Sequence, residues 1–243
     1  MEIPNESRHW DSVSAGYTDF IQPIFGKFLR RYQDSLQFTP EMRVLDLACG
    51  PGTASLQICD QVSQVDGLDF SQEMINIFEK RIQEETISNI QTHVGDGHDL
   101  SRFEDLSFDR VLSLFGLIFF SDRIRSLKEI GRTLKPDGRI FVTSWPPMSE
   151  SSFMTTLFEA VLSTGLMPEP KESPTEDLGT PDPKVFEAEL KEAGFGNVTR
   201  ELATLTVPVT DVDTLWEENT RGSFILLLIQ KELTPEKWND LST

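Results

Sequence analysis

Basic charge is what this chain has least of. Against 40 Asp and Glu it carries 22 Lys and Arg, so its formal net charge is −18 and its pI about 4.5. Such a surface repels nucleic acid and anionic membrane. The short basic clusters Lys27 to Arg31 and Arg123 to Lys128 read as solvated helix faces, so no nucleic-acid partner is expected. Cysteine is almost missing. Cys49 lies in a glycine-rich turn and Cys59 on the segment after it, a poor arrangement for a disulfide. With three histidines there is no Cys/His spacing of metal-binding type, and no metal is expected. Two free thiols fit a reducing compartment. Long apolar runs are missing too: the longest, Phe224 to Ile229, is far too short to span a bilayer. The opening Met1-Glu2-Ile3-Pro4-Asn5-Glu6 is polar and unlike a signal peptide. The expectation is a soluble, cytoplasmic chain without stable membrane insertion.

What is present is an alternation of strand and helix patterns. Arg43 to Ala48, Gln64 to Asp69, Ile90 to Val94, Phe108 to Leu114 and Arg139 to Ser144 read as strands. Helices are expected from about Thr53 to Asp60 and from Asp122 to Thr133, the latter closed by the turn Lys135-Pro136-Asp137-Gly138. Ser71 caps a third, whose buried stripe is Ile75, Phe78 and Ile82. This order predicts an α/β fold: a Rossmann-like, doubly wound, mostly parallel sheet with helices on both faces. Residues 11–36 read as helical, broken or kinked at Pro23. After Trp145-Pro146-Pro147 come a helix over 151–165, an irregular loop over 168–183 with five prolines, and a helix from Asp182-Pro183 to Gly194. A strand from Val198 to Val207, a helix from Asp211 to Lys231 and a short helix from Pro235 complete the pattern. A single domain of 243 residues is expected, with a helical lid over 1–40, a cofactor-binding core over 41–145 and substrate-side helices with the last strand over 146–243.

The segment Val44-Leu45-Asp46-Leu47-Ala48-Cys49-Gly50-Pro51-Gly52-Thr53 carries most of the functional information. It reads as a buried strand, a glycine turn and a helix start, the way such a sheet meets a nucleotide-like ligand. Asp46 puts a negative charge where a pyrophosphate would be repelled, and Pro51 removes one N–H that would cradle phosphate. The ligand implied has a nucleoside body and positive charge near the turn, and S-adenosylmethionine fits that description. Asp69 follows Gly50 by 19 residues, the spacing of a carboxylate that accepts ribose hydroxyls. Phe70 and Met74 either flank an adenine ring or pack in the core. In Val94-Gly95-Asp96-Gly97-His98, the Asp96 side chain and the following N–H complement an adenine edge. The apolar loop Ser113 to Phe120, with Leu114, Phe115 and Phe119, sits at a strand's carboxyl end, where ligands of open sheets bind. Trp10, Tyr17 and Trp145 join the candidate substrate pocket. Each of these aromatics has packing as its alternative role.

These motifs resemble class I S-adenosylmethionine-dependent methyltransferases, especially the small-molecule group that includes ubiquinone and menaquinone biosynthesis enzymes. Val44 to Thr53 looks like the family's first motif, Asp69-Phe70-Ser71 with Met74 like its second, and Gly95-Asp96-Gly97 like its adenine turn. Leu134 to Arg139 resembles the turn before its fifth strand, and Ala193-Gly194-Phe195 the entry to its sixth. The resemblance implies cofactor contacts from Asp46, Ala48, Gly50, Gly52, Asp69, Phe70, Met74, Asp96, Gly97 and Leu114. The family's seventh, antiparallel strand has no evident counterpart before Leu241-Ser242-Thr243, leaving it absent, truncated or supplied by other sequence.

Methyl transfer from a sulfonium needs positioning and dryness more than a nucleophile or a metal. A small-molecule acceptor is expected, at least partly apolar, with His98 as candidate general base and His9 and His93 as weaker ones. An NAD-dependent oxidoreductase is opposed by Asp46, Pro51 and Ser55 in place of a third glycine. A cofactor-binding regulatory protein without turnover is the other alternative, and turnover assays separate it from an enzyme.

Overall fold

The computed structural model describes residues 6–147, 182–209 and 211–223, with isolated positions between 150 and 159 and between 226 and 238. Five strands form one parallel sheet: β1 (Arg43–Leu47), β2 (Gln64–Asp69), β3 (Ile90–Val94), β4 (Phe108–Leu114) and β5 (Leu134–Thr143). Their spatial order is β3-β2-β1-β4-β5. The order reverses between β1 and β4, and that switch point opens a crevice at the carboxyl ends of the strands.

The central strands β1, β2 and β4 are buried because their side chains alternate between two cores, while the outer strands β3 and β5 are partly exposed. On one side Val44, Val65, Leu112 and Leu114 pack with Leu29, Ile58, Ile75 and Phe78. These come from α2 (Gln22–Tyr32), α3 (Thr53–Ile58) and α4 (Gln72–Glu84). On the other, Leu45, Leu47, Leu68 and Val111 pack with Leu127, Ile130 and Leu190. Those helices are α5 (Arg123–Thr133) and α6 (Pro183–Glu192). Asp66 is fully buried in the sheet, where Arg43 Nε and His93 Nε2 meet its two oxygens at 2.8 and 3.0 Å.

The N-terminal segment is helical throughout. α1 (Ser7–Gly16) passes through a π-helical turn, Tyr17–Ile21, into α2. The expected kink at Pro23 takes this form because proline has no N–H to bond the preceding turn, and one wider turn absorbs the mismatch. α7 (Val212–Gly222) crosses α1 at Gly16, where an added Cβ would lie 2.3 Å from the Arg221 carbonyl oxygen.

Two expectations are corrected. Val198 to Val207 forms no strand and has no ladder partner in the sheet; it lines, together with β5, a cleft of about 2380 Å³. β5 begins at Leu134, so Lys135-Pro136-Asp137-Gly138 is a bulge inside the strand, between the pairs Phe108–Leu134 and Arg110–Arg139. Most of 151–165 and of 168–183, and residues 239–243, where the seventh strand was in question, lie outside the described residues. Among the described residues no helix is long and apolar enough to cross a membrane.

Candidate active site

The loop after β1 is held by backbone conformations that favour glycine. Gly50 and Gly52 have φ of 52° and 84°, and Ala48 adopts 54°. A Cβ on Gly52 would lie 2.1 Å from the Phe78 ring, so packing as well as conformation demands glycine there. At Gly50 the nearest atom to such a Cβ is a Tyr17 ring carbon at 3.8 Å. The glycines at 50 and 52 therefore differ: one closes the loop onto the core, and the other leaves room above it.

Two buried carboxylates meet this loop. Asp46 Oδ2 accepts from the Ser55 N–H at 3.0 Å and from the Ser55 hydroxyl at 2.7 Å. Asp69 accepts from the Gly50 N–H through Oδ2 at 2.8 Å and from the Ser71 N–H through Oδ1 at 2.9 Å. Burial pushes both carboxyls up to about 6, against these bonds. Among the described residues neither has a Lys, Arg or His partner within 4 Å. Ser55, read from sequence only as a missing third glycine, is the donor that fixes Asp46.

The N-terminal helices cover the loop. Asp11 Oδ1 accepts from the Ser71 hydroxyl at 2.5 Å and from the Glu73 N–H at 3.4 Å, while Ser71 caps α4 by accepting from the Met74 N–H. Tyr17 stands over Gly50, its hydroxyl held protonated by burial and by the nearby Asp69 and Asp46. Arg81 Nη1 donates to the Pro51 carbonyl at 2.7 Å and to Gln22 Oε1 at 3.2 Å, joining α4, the glycine loop and α2. Neither Asp11 nor Arg81 stands in a recognisable motif, and only the packing of α1 and α2 brings them here.

After β3, Asp96 Oδ1 accepts from the His98 N–H at 2.9 Å and faces His98 Nδ1 at 2.6 Å. His98 Nε2 accepts from the Asp122 N–H at 3.3 Å, which assigns the proton of the neutral ring to Nδ1. His98 thus staples this turn to the start of α5, with both ring nitrogens engaged. Phe120 lies where a Cβ on Gly97 would strike it, at 2.4 Å. Met74 is buried in the core, Leu114 is buried at the end of β4, and Phe70 is partly exposed.

The aromatics expected in the substrate pocket converge. Trp10, Tyr17, Phe115, Phe119 and Trp145 all line the cleft beside β5. Ring centroids lie 5.2 Å apart for Trp10–Phe119, 5.8 Å for Trp10–Tyr17 and 4.9 Å for Phe115–Trp145. Phe25, on α2, completes the wall at 4.2 Å from Phe115. Asp46, Gly50, Asp69 and Asp96 do not line this cleft, and Tyr17 borders both it and the glycine loop.

Residues 44–138 match the family described as a methyltransferase domain. The chain is 36% identical over 131 residues to the demethylmenaquinone methyltransferase of Thermotoga maritima, covering 53% of this chain and 54% of that protein. It is 31% identical over 142 residues to a ubiquinone/menaquinone biosynthesis C-methyltransferase of Geotalea daltonii, covering 55% and 60%. The matched region thus spans little more than half the length of these relatives. The fold is shared with the YcgJ protein of Bacillus subtilis, at TM-score 0.60 and 19% identity over 87% of this chain and 86% of that one. A putative methyltransferase from Bacillus halodurans gives 0.56 and 18%, over 88% and 81%. Residues 44–138 are thus similar in sequence to a methyltransferase domain, set in a fold shared with these solved structures.

Proposed function

We propose that the chain transfers a methyl group from S-adenosylmethionine to a small, partly apolar acceptor. One observation carries the reading: Asp46 and Asp69, both desolvated and both without a cationic partner among the described residues, flank a loop whose Gly50 side is open. Buried carboxylates favour a ligand that brings its own positive charge. A dinucleotide pyrophosphate would meet the opposite field.

In this reading Asp69 takes the ribose hydroxyls. A carboxylate offers about four acceptor positions, so its bonds to Gly50 and Ser71 leave capacity and also aim it. Asp46, held by Ser55, faces the cofactor's ammonium side. Ala48, Gly50 and Gly52 supply close backbone approach, and Asp96 with the N–H of Gly97 the adenine edge. Phe70 and Leu114 flank the base, and Met74 supports them from the core. Bound there, S-adenosylmethionine would offer an electrophilic methyl carbon to an acceptor atom in line with the C–S bond, with the neutral thioether as the leaving group that keeps the bond's electron pair. The chain's part is positioning and exclusion of water by Trp10, Tyr17, Phe115, Phe119 and Trp145. His98 acts as a positioning group between Asp96 and α5, and no general base is assigned.

The relatives' names concern quinone-type acceptors, and the aromatic wall suits a flat, apolar ring of that class. The lid over 1–40, the core over 41–145 and the substrate side over 146–243 are the corresponding division of labour, in a cytoplasmic setting. The test is calorimetric titration with S-adenosylmethionine, S-adenosylhomocysteine and NAD, followed by transfer of labelled methyl to a panel of reduced quinones, catechols and nucleic acid. Comparable NAD binding, or a nucleic-acid acceptor, overturns the reading.

A further inference from the structure

Asp11 is not needed to hold a cofactor in any motif above, yet its position is specific. It lies on α1, 58 residues before Asp69 in sequence, and reaches the same N-terminus of α4. Ser71 connects the two acids: its hydroxyl donates to Asp11 Oδ1 at 2.5 Å and its N–H donates to Asp69 Oδ1 at 2.9 Å. Asp11 acts electrostatically on Asp69, and Asp69 on Asp46, where α1 and its π turn cover the glycine loop. Tyr17, uncharged, stands over Gly50 beside Asp46 and Asp69. Among the described residues, Arg81 bonds Pro51 and Gln22, Arg8 pairs with Glu6, and Arg221 of α7 lies over the Phe20 ring. Closing the lid brings Asp11 up to the like charge of Asp69, and a cation beneath it offsets that repulsion.

The proposed reaction removes that cation. Its sulfonium carries one positive charge, and the thioether product carries none at sulfur. We infer that Asp11 is a positioning residue through which the chain discriminates sulfonium cofactor from thioether product, holding α1 down over the former and releasing it over the latter. The inference rests on the methyltransferase reading above. It gives the lid a direction: the charge consumed by the reaction is the charge that keeps the lid closed, so product leaves from a loosened site.

Asp11→Asn is the informative variant, since its side-chain oxygen can still accept from Ser71 and Glu73 while the charge is gone. Affinities of wild type and variant are measured by calorimetry for S-adenosylmethionine, S-adenosylhomocysteine and sinefungin, which bears an ammonium at the sulfonium position. The preference of both cationic ligands over S-adenosylhomocysteine should fall roughly three- to tenfold in Asp11→Asn, the size of one charge acting across several ångströms, and Asp11→Glu should restore part of it. An unchanged ratio, or equal loss of all three ligands, overturns the inference while leaving the methyltransferase reading intact. A wild-type chain that binds none of the three overturns that reading and this inference with it. Hydrogen exchange in wild type needs no variant: amides of residues 7–21 should be slower with saturating S-adenosylmethionine than with saturating S-adenosylhomocysteine, and equal protection overturns the inference.

Discussion

The Gly50 N–H donates to Asp69 Oδ2 across 2.8 Å, so the carboxylate that ends β2 also sets the shape of the loop that ends β1. Asp69→Ala removes both that bond and the proposed acceptor of the ribose hydroxyls. Cofactor affinity should fall by about 1–3 kcal/mol, with a folded sheet by circular dichroism, because Ser71 still caps α4. Undiminished affinity in the folded variant would take Asp69 out of the site.

Gly52→Ala tests the packing side of the same loop. Its φ of 84° disfavours a side chain, and the Phe78 ring occupies the Cβ position. Overpacking and left-handed strain together should lower stability by roughly 2–4 kcal/mol, read by urea denaturation. Gly50→Ala shares the strain but meets only Tyr17 at 3.8 Å, so its stability loss should be smaller and its loss of cofactor affinity relatively larger.

The pH dependence has a definite sign. Asp46 and Asp69 rise from an ordinary 3.8 to about 6 in the folded chain, chiefly through burial. A raised carboxyl pKa means the folded state holds its proton longer, so these two groups lower stability progressively as pH climbs from 3.8 to about 6 and fully above it. A cationic ligand reverses that penalty. Affinity for S-adenosylmethionine should therefore increase through about pH 6, with proton release on binding, measured by calorimetry in buffers of different ionisation heat. Asp66 works in the opposite direction: its bonds to His93 and Arg43 lower its pKa, so its contribution is present above the ordinary carboxyl range and is lost as the pH falls below it.

His98 separates two roles. As a general base its loss would lower kcat by about 10²–10⁴. As a staple between Asp96 and Asp122, His98→Asn should keep kcat within about threefold and instead raise the KM for cofactor, since only the adenine-side turn loosens. Steady-state kinetics on the acceptor found by screening decides it.

Trp10→Ala opens the acceptor side, where Trp10 packs edge-on against Phe119 and Tyr17. Acceptor KM should rise about tenfold, equivalent to ~1.4 kcal/mol, with cofactor affinity nearly unchanged. Equal losses of both would place Trp10 in the cofactor wall.

The strands, the parallel sheet and the glycine loop were legible in the sequence because each depends on local chemistry. β1 and β4 fall where short apolar runs meet turn residues, and Ser71 caps α4 through a bond three residues away. The spacing from Gly50 to Asp69 is likewise one βαβ step, so sequence distance translates directly into space. What followed from neighbours far along the chain was not legible. Val198 to Val207 has the pattern of a strand, but a strand needs a paired edge, and in the structure this segment lines a cleft with β5 without joining the sheet. Ser55 gave no sign that it would hold Asp46, since its role arises only once α3 folds back on β1. Asp11 and Arg81 are ordinary helix-surface charges by sequence. Only the tertiary structure, by laying α1 and α2 across the ends of β1 and β2, brings one to Ser71 and the other to Pro51, because side chains some 60 or 30 residues distant become neighbours through packing alone.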